Sequence, residues 1–185
     1  MALTPSLMID LGTSAPDFKL PDVISRKDLS LNELRSPVAT VIMFICNHCP
    51  YVKHINTELV RLANAYSPKG VSFVAINSND YTAYPEDSPE NMHKAATELK
   101  YPFPYLVDQS QEVAKTYEAV CTPDFFIYDN DLKLVYRGQL DDSRPSNHVP
   151  SDGKDMRTAL DAILAGEKPS PRQRPSIGCD IKWKK

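Results

Sequence analysis

Apolar residues run from Val38 to Ile45, broken only by Thr40, and again from Val71 to Ile76 around Ser72. Neither stretch alternates apolar with polar, which is the mark of a central strand covered on both faces. Between them Val52, Ile55, Leu59, Leu62, Ala63 and Tyr66 recur at helical spacing and predict an amphipathic helix from Pro50 to Tyr66. Pro50 suits a first helical turn, where a missing N–H costs nothing, and Pro68-Lys69-Gly70 ends the element. Strand, helix and strand at this spacing predict a parallel pair joined by a right-handed crossover.

Elsewhere the pattern is shorter. Segments 17–22 and 27–31 read as two strands around a turn, followed by a helical turn at 32–35. A polar loop, Asn77 to Pro89, carries Tyr81 and Tyr84 at the carboxyl end of a strand, the edge where open α/β sheets bind ligands. Ser88 starts a helix through Leu99, Phe103 to Val107 is a short strand, and Gln111 to Tyr117 is another helix. Segments 124–128 and 132–137 predict an antiparallel hairpin about Asp129-Asn130-Asp131, and Ser151 to Ala165 is the last helix, closed by Gly166. The expected organisation is an arm over 1–16, one domain over 17–166 and a tail over 167–185. The tail is rich in proline and basic residues, yet it holds Ile177, Ile181 and the single Trp183. It is therefore expected to fold back on the domain, or on a second subunit in a homodimer.

After the first hairpin the order is βαβ, helix, short strand, helix, ββ, α. That order resembles the thioredoxin fold, an α/β class in which helices cover both faces of a mixed central sheet. The version it resembles has the N-terminal β-hairpin of peroxiredoxins and membrane-anchored thiol oxidoreductases, here with a C-terminal extension.

Composition narrows the function. With 21 basic and 24 acidic residues among 185, the chain is nearly neutral, which argues against nucleic acid or an anionic membrane as partner. No apolar stretch is long enough to span a bilayer, and the start lacks the basic and apolar regions of a secretory signal, so a cytoplasmic location is expected. Four cysteines in a reducing compartment are catalytic, metal-binding or inert rather than a structural framework.

Two of them lie in Cys46-Asn47-His48-Cys49-Pro50, where the first buried run meets the helical pattern. Thiols at i and i+3 can close a disulfide across one turn. A helix N-terminus favours an anion by up to ~2 kcal/mol. That suffices to move Cys46 from roughly 8.5 toward 7. Cys46 is thus expected to be the nucleophile and Cys49 the resolving thiol, with His48 tuning the thiolate. A metal site built from Cys46, Cys49, His48 or His54 is the competing reading, against which no second ligand pair stands at zinc-finger spacing.

The second constellation is Cys121-Thr122-Pro123-Asp124. Thioredoxin-like proteins carry a cis proline in the slot Pro123 would fill, packed against the Cys-X-X-Cys. A cis bond there exposes the backbone of Thr122 for pairing with a substrate chain. Together with Tyr136-Arg137-Gly138-Gln139-Leu140-Asp141-Asp142 and Pro175-Ser176-Ile177-Gly178-Cys179, these motifs resemble a peroxiredoxin-like branch of the alkyl hydroperoxide reductase/thiol-specific antioxidant family, the redoxins, within the thioredoxin superfamily. The resemblance implies an oxidoreductase that needs no cofactor and exchanges with protein or small-molecule thiols and disulfides. The alternatives are a thiol peroxidase acting on hydroperoxides, and a non-catalytic module that binds copper or zinc or senses redox state. Three departures bear on that choice. With Cys49 aligned as a peroxidatic cysteine, the family's hydroxyl slot holds Cys46 and its proline slot Ile42. The arginine slot holds Pro123, leaving Arg137 or Arg144 as stand-ins. The buried acid of thioredoxins corresponds to Thr40. Cys121 and Cys179 are additional candidate thiols, as relay or trap.

Overall fold

The computed structural model describes residues 3–185. Met1 and Ala2, at the start of the expected arm, lie outside the described residues. The strands are β1 (Leu3–Pro5), β2 (Lys19–Pro21), β3 (Asp28–Ser30), β4 (Ala39–Phe44), β5 (Val71–Asn77), β6 (Tyr105–Val107), β7 (Cys121–Thr122), β8 (Asp124–Tyr128), β9 (Leu134–Gly138) and β10 (Ile177–Asp180). The helices are α1 (Leu31–Leu34), α2 (Pro50–Tyr66), α3 (Pro89–Glu98), α4 (Glu112–Thr116) and α5 (Lys154–Leu164).

A five-stranded sheet in the order β6-β5-β4-β8-β9 forms the centre, with β4, β5 and β6 parallel, β8 antiparallel to β4, and β9 antiparallel to β8. Every residue of β4 is buried because the pleat sends alternate side chains into two different cores. Val41, Met43 and Ile45 join Val52, Ile55 and Leu59 of α2, Met92 of α3 and Leu160 of α5. Ile42 and Phe44 join Val74, Phe126, Tyr117 and Phe18 on the other face. The result is the mixed, helix-covered α/β architecture of the thioredoxin-like class.

The tail folds back on the domain, and both it and the segment expected to be an arm form strands. β1 pairs antiparallel with β10, and β10 pairs antiparallel with β7, so both ends of the chain join one three-stranded sheet beside the central one. Apart from this, boundaries shift by at most three residues, the largest being the start of α5 at Lys154 rather than Ser151. Pro102 and Pro104 delay β6 to Tyr105, and Leu132 adopts φ +56 in the turn, so β9 starts at Leu134. Among the described residues no helix is long and apolar enough to cross a membrane.

Candidate functional site

The backbone of Ile45 donates to the Ile76 carbonyl (3.0 Å), which holds the end of β4 against β5 until the chain turns away at Cys46. Pro50 takes the first position of α2, and Cys49 is its N-cap residue. The sequence had suggested Cys46 for the helix terminus; instead the helix begins after Cys49. The positive end of α2 and its unsatisfied N–H groups therefore act first on Cys49.

No disulfide joins the four cysteines, and all are buried. Cys49 Sγ lies 3.0 Å from Cys179 Sγ and 3.2 Å from the carbonyl oxygen of Thr122, and Cys46 Sγ lies 3.4 Å from Thr122 Oγ1. A hydrogen bond from the Cys46 thiol lowers Cys49 to about 5; burial opposes this, while the Cys179 thiol and the N–H groups of Val52 and Cys179 assist it. The Thr122 carbonyl favours a thiol at Cys49, but the donors outnumber it. Donating to Cys49 raises Cys46 well above the ordinary thiol value, and burial and the charge of Asp87 push it the same way. The lowered pKa thus falls on Cys49, at the helix end, whereas the sequence reading placed it on Cys46.

The hydrogen-bond partner of His48 is Asp87. Its Nδ1 meets Asp87 Oδ2 at 2.5 Å, and its ring stacks on Tyr84 at 5.2 Å between centroids. The hydrogen bond to Asp87 raises its pKa against the opposing effect of burial, and the Nε2 atom is buried without a partner. Asp87, 1% exposed, also accepts from the Asn47 N–H (2.7 Å) and Asn79 Nδ2 (2.8 Å). Burial would push its carboxyl up, but His48, Asn79 and Asn47 together hold it low. No local pattern singles out Asp87: it is one of several acids in the polar 77–89 loop, 39 residues from His48.

The Thr122–Pro123 peptide is cis, as expected. The backbone of Thr122, however, is not open to a substrate strand, because β10 is paired with it in the register Cys179 to Thr122. The Cys121 Sγ approaches the Pro123 carbonyl at 3.7 Å, and burial holds its pKa well above the ordinary value. Neither candidate arginine is available to a bound oxidant. Arg137 is fully buried in an ion pair with Asp124 over the face of Phe126. Arg144 donates to Gln139 Oε1 and to the carbonyls of Asp141 and Ser143. Thr40 Oγ1 accepts from the Ser36 N–H, so the slot of the buried acid is filled by a structural hydroxyl.

A family model described as AhpC/TSA matches residues 11–137. The chain is similar to an uncharacterized conserved protein from Geobacillus kaustophilus, at 64% identity and TM-score 0.98 over 100% of this chain and 97% of that one. It is also similar to a protein described as hypothetical from Sinorhizobium meliloti 1021, at 47% identity and TM-score 0.95 over 98% of each. The thioredoxin domain of a thiol-disulfide oxidoreductase from Bacteroides vulgatus shares the fold, with 21% identity and TM-score 0.59 over 71% of this chain and 91% of that one. No curated protein matches the chain.

Proposed function

Since this chain belongs to the AhpC/TSA family of thiol-based redox proteins, we propose that it is a thiol-disulfide oxidoreductase whose redox pair is Cys46 and Cys49. The observation that carries this reading is the placement of both sulfurs at the start of α2, with Cys49 its N-cap residue and the Cys46 and Cys49 sulfurs both against Thr122, at 3.4 and 3.2 Å. Thiols three residues apart can close a disulfide, and the lowered pKa of Cys49 favours its thiolate. Cys49 attacks a substrate disulfide and the substrate's first thiolate leaves. Cys46, losing its proton, then attacks the Cys49 sulfur, and the second substrate thiolate leaves. His48, whose pKa the hydrogen bond to Asp87 raises, favours the thiolate when protonated. Thr122 and Pro123 form the opposite wall, and a substrate backbone would pair with Thr122 only in place of β10.

Peroxide reduction has less support. With no hydroxyl in place of Cys46, and with Arg137 and Arg144 engaged elsewhere, the oxygens of a peroxide lack donors beside Cys49. A metal-binding reading has one observation behind it. Ligand atoms of Cys46, His48 and Asp87 lie within 4.8 Å of one another. A bound ion would replace the His48–Asp87 hydrogen bond and remove Cys46 from exchange.

The test mixes reduced, metal-free protein with hydroxyethyl disulfide or with hydrogen peroxide and follows loss of the two thiols. The expected result is rapid oxidation by the disulfide that requires both Cys46 and Cys49, and no acceleration of peroxide over an ordinary thiol. Peroxide turnover that depends on Cys49, with the disulfide inert, would replace this reading by a peroxidase.

A further inference from the structure

β10 occupies the place on β7 where a substrate strand would pair, and it carries a thiol to the centre of that place. Cys179 faces Thr122 across the β10–β7 ladder, and its sulfur lies 3.0 Å from Cys49 Sγ. The close approach depends on Gly178, where a Cβ would stand 1.9 Å from the Thr122 carbonyl oxygen. The strand is fastened on both sides of the thiol. Before it, the Ser176 hydroxyl donates to the Pro123 carbonyl (2.7 Å), and the Ser6 N–H donates to the Ser176 carbonyl (2.8 Å). After it, the Ile181 N–H donates to the Val120 carbonyl (3.0 Å), and the Lys182 N–H to Asn79 Oδ1 (2.8 Å). Cys179 is thereby held against Cys49 by backbone pairing on both neighbouring strands, β1 and β7.

We propose that Cys179 is a third redox-active thiol, and that the C-terminal strand acts as an internal substrate which takes the disulfide from the Cys46–Cys49 pair. The inference rests on the thiol-disulfide reading above. In the step, the sulfur of Cys179 attacks Cys49 Sγ, the Cys46–Cys49 bond breaks, and Cys46 leaves as a thiolate. The proton given up by Cys179 ends on Cys46, so one disulfide and one thiol are exchanged for another of each with no net oxidation. The product, Cys49–Cys179, staples β10 to the start of α2 and returns Cys46 to the thiol state. An external dithiol then reduces it, being oxidised to a disulfide in turn. A peptide substrate and β10 compete for the same edge of β7, so a substrate strand enters only when β10 is displaced.

The test equilibrates the full chain in mixtures of oxidised and reduced dithiothreitol, blocks remaining thiols by alkylation in acid, and maps disulfides by peptide mass spectrometry. The expected result is that the peptide holding Cys179 is linked to the peptide holding Cys46 and Cys49, with Cys121 alkylated. The same link should form in Cys46→Ser, which assigns it to Cys49. A Cys46–Cys49 disulfide as the only product, with Cys179 alkylated throughout, would overturn the inference and leave the redox pair intact. A link that vanishes in Cys46→Ser would also overturn it, because Cys179 would then be bonded to Cys46. No disulfide at all in the wild-type chain would bring down this inference and the proposed function together.

Discussion

Cys46 and Cys49 carry the same atom in unequal surroundings, and the inequality decides which one is charged. Cys49 receives thiol and N–H hydrogen bonds at a helix terminus; Cys46 gives one away and faces Asp87. An ultraviolet thiolate titration of the reduced protein should therefore show one thiolate appearing with a midpoint near about 5. Replacing Cys46 by Ala should move that midpoint up, since its largest cause is gone. Because the folded pKa of Cys49 is depressed, its contribution to the stability of the reduced protein is present above the ordinary thiol value and lost as the pH falls through the folded one. His48 and Asp87 form a second unequal pair. His48 is raised, so its contribution is present below the ordinary imidazole value and lost as pH rises through the folded value. Asp87 is lowered, so its contribution is lost toward acid. Changing Asp87 to Asn removes the charge that holds the imidazolium and leaves burial unopposed. His48 should then titrate below its present value by NMR, with about 1–3 kcal/mol of stability lost near neutral pH. A result with His48 unmoved would dissociate it from Asp87. The cysteines and His48 were legible in the sequence because their spacing is local. Asp87 was not, because its role exists only once the 77–89 loop folds over Asn47 and His48.

At the scale of elements, α2 was readable because its seventeen residues repeat the helical period, and β4 because its six residues lie in an apolar run broken only by Thr40. β10, at four residues containing a glycine, has no period to read, and β7 has only two residues. Their pairing comes from long-range backbone hydrogen bonds, of which the hydrophobic Ile177 and Ile181 in an otherwise polar tail were the only hint. Gly178 is the residue on which this sheet turns. Gly178→Ala should force β10 away from Thr122, expose Cys46 and Cys49 to alkylating reagents and accelerate their modification, while the central sheet stays folded by circular dichroism. Unchanged alkylation of Gly178→Ala would mean that β10 does not cover the pair. The expected availability of the Thr122 backbone failed for the same reason: the sequence pointed to a substrate edge, and the chain's own end fills it.

The whole molecule is arranged so that the central sheet delivers one wall of the site from β4 and α2 and the other from the turn between β7 and β8. The ion pair of Arg137 with Asp124 supports that second wall from beneath, and Arg137 also donates to the carbonyl of Leu7, tying the N-terminal segment to it. Arg137→Ala leaves Asp124 buried and unpaired and should cost about 3–5 kcal/mol in denaturant unfolding. An effect within error would show that the pair is not a structural tie. The thioredoxin-like class was legible from element order alone, because alternation of buried strands and amphipathic helices survives without knowledge of any contact. The proposed function rests on one pair of sulfurs, and their reduction potential tests it most directly. Equilibrium with glutathione buffers, read by alkylation of Cys46 and Cys49, should give a single two-electron transition. A stabilised Cys49 thiolate favours the reduced form, so the potential should lie above thioredoxin's, between about −270 and −180 mV, and the transition should disappear in Cys49→Ser. No transition at any accessible potential, or one that persists unchanged in Cys49→Ser, would contradict the assignment of Cys46 and Cys49 as the redox pair.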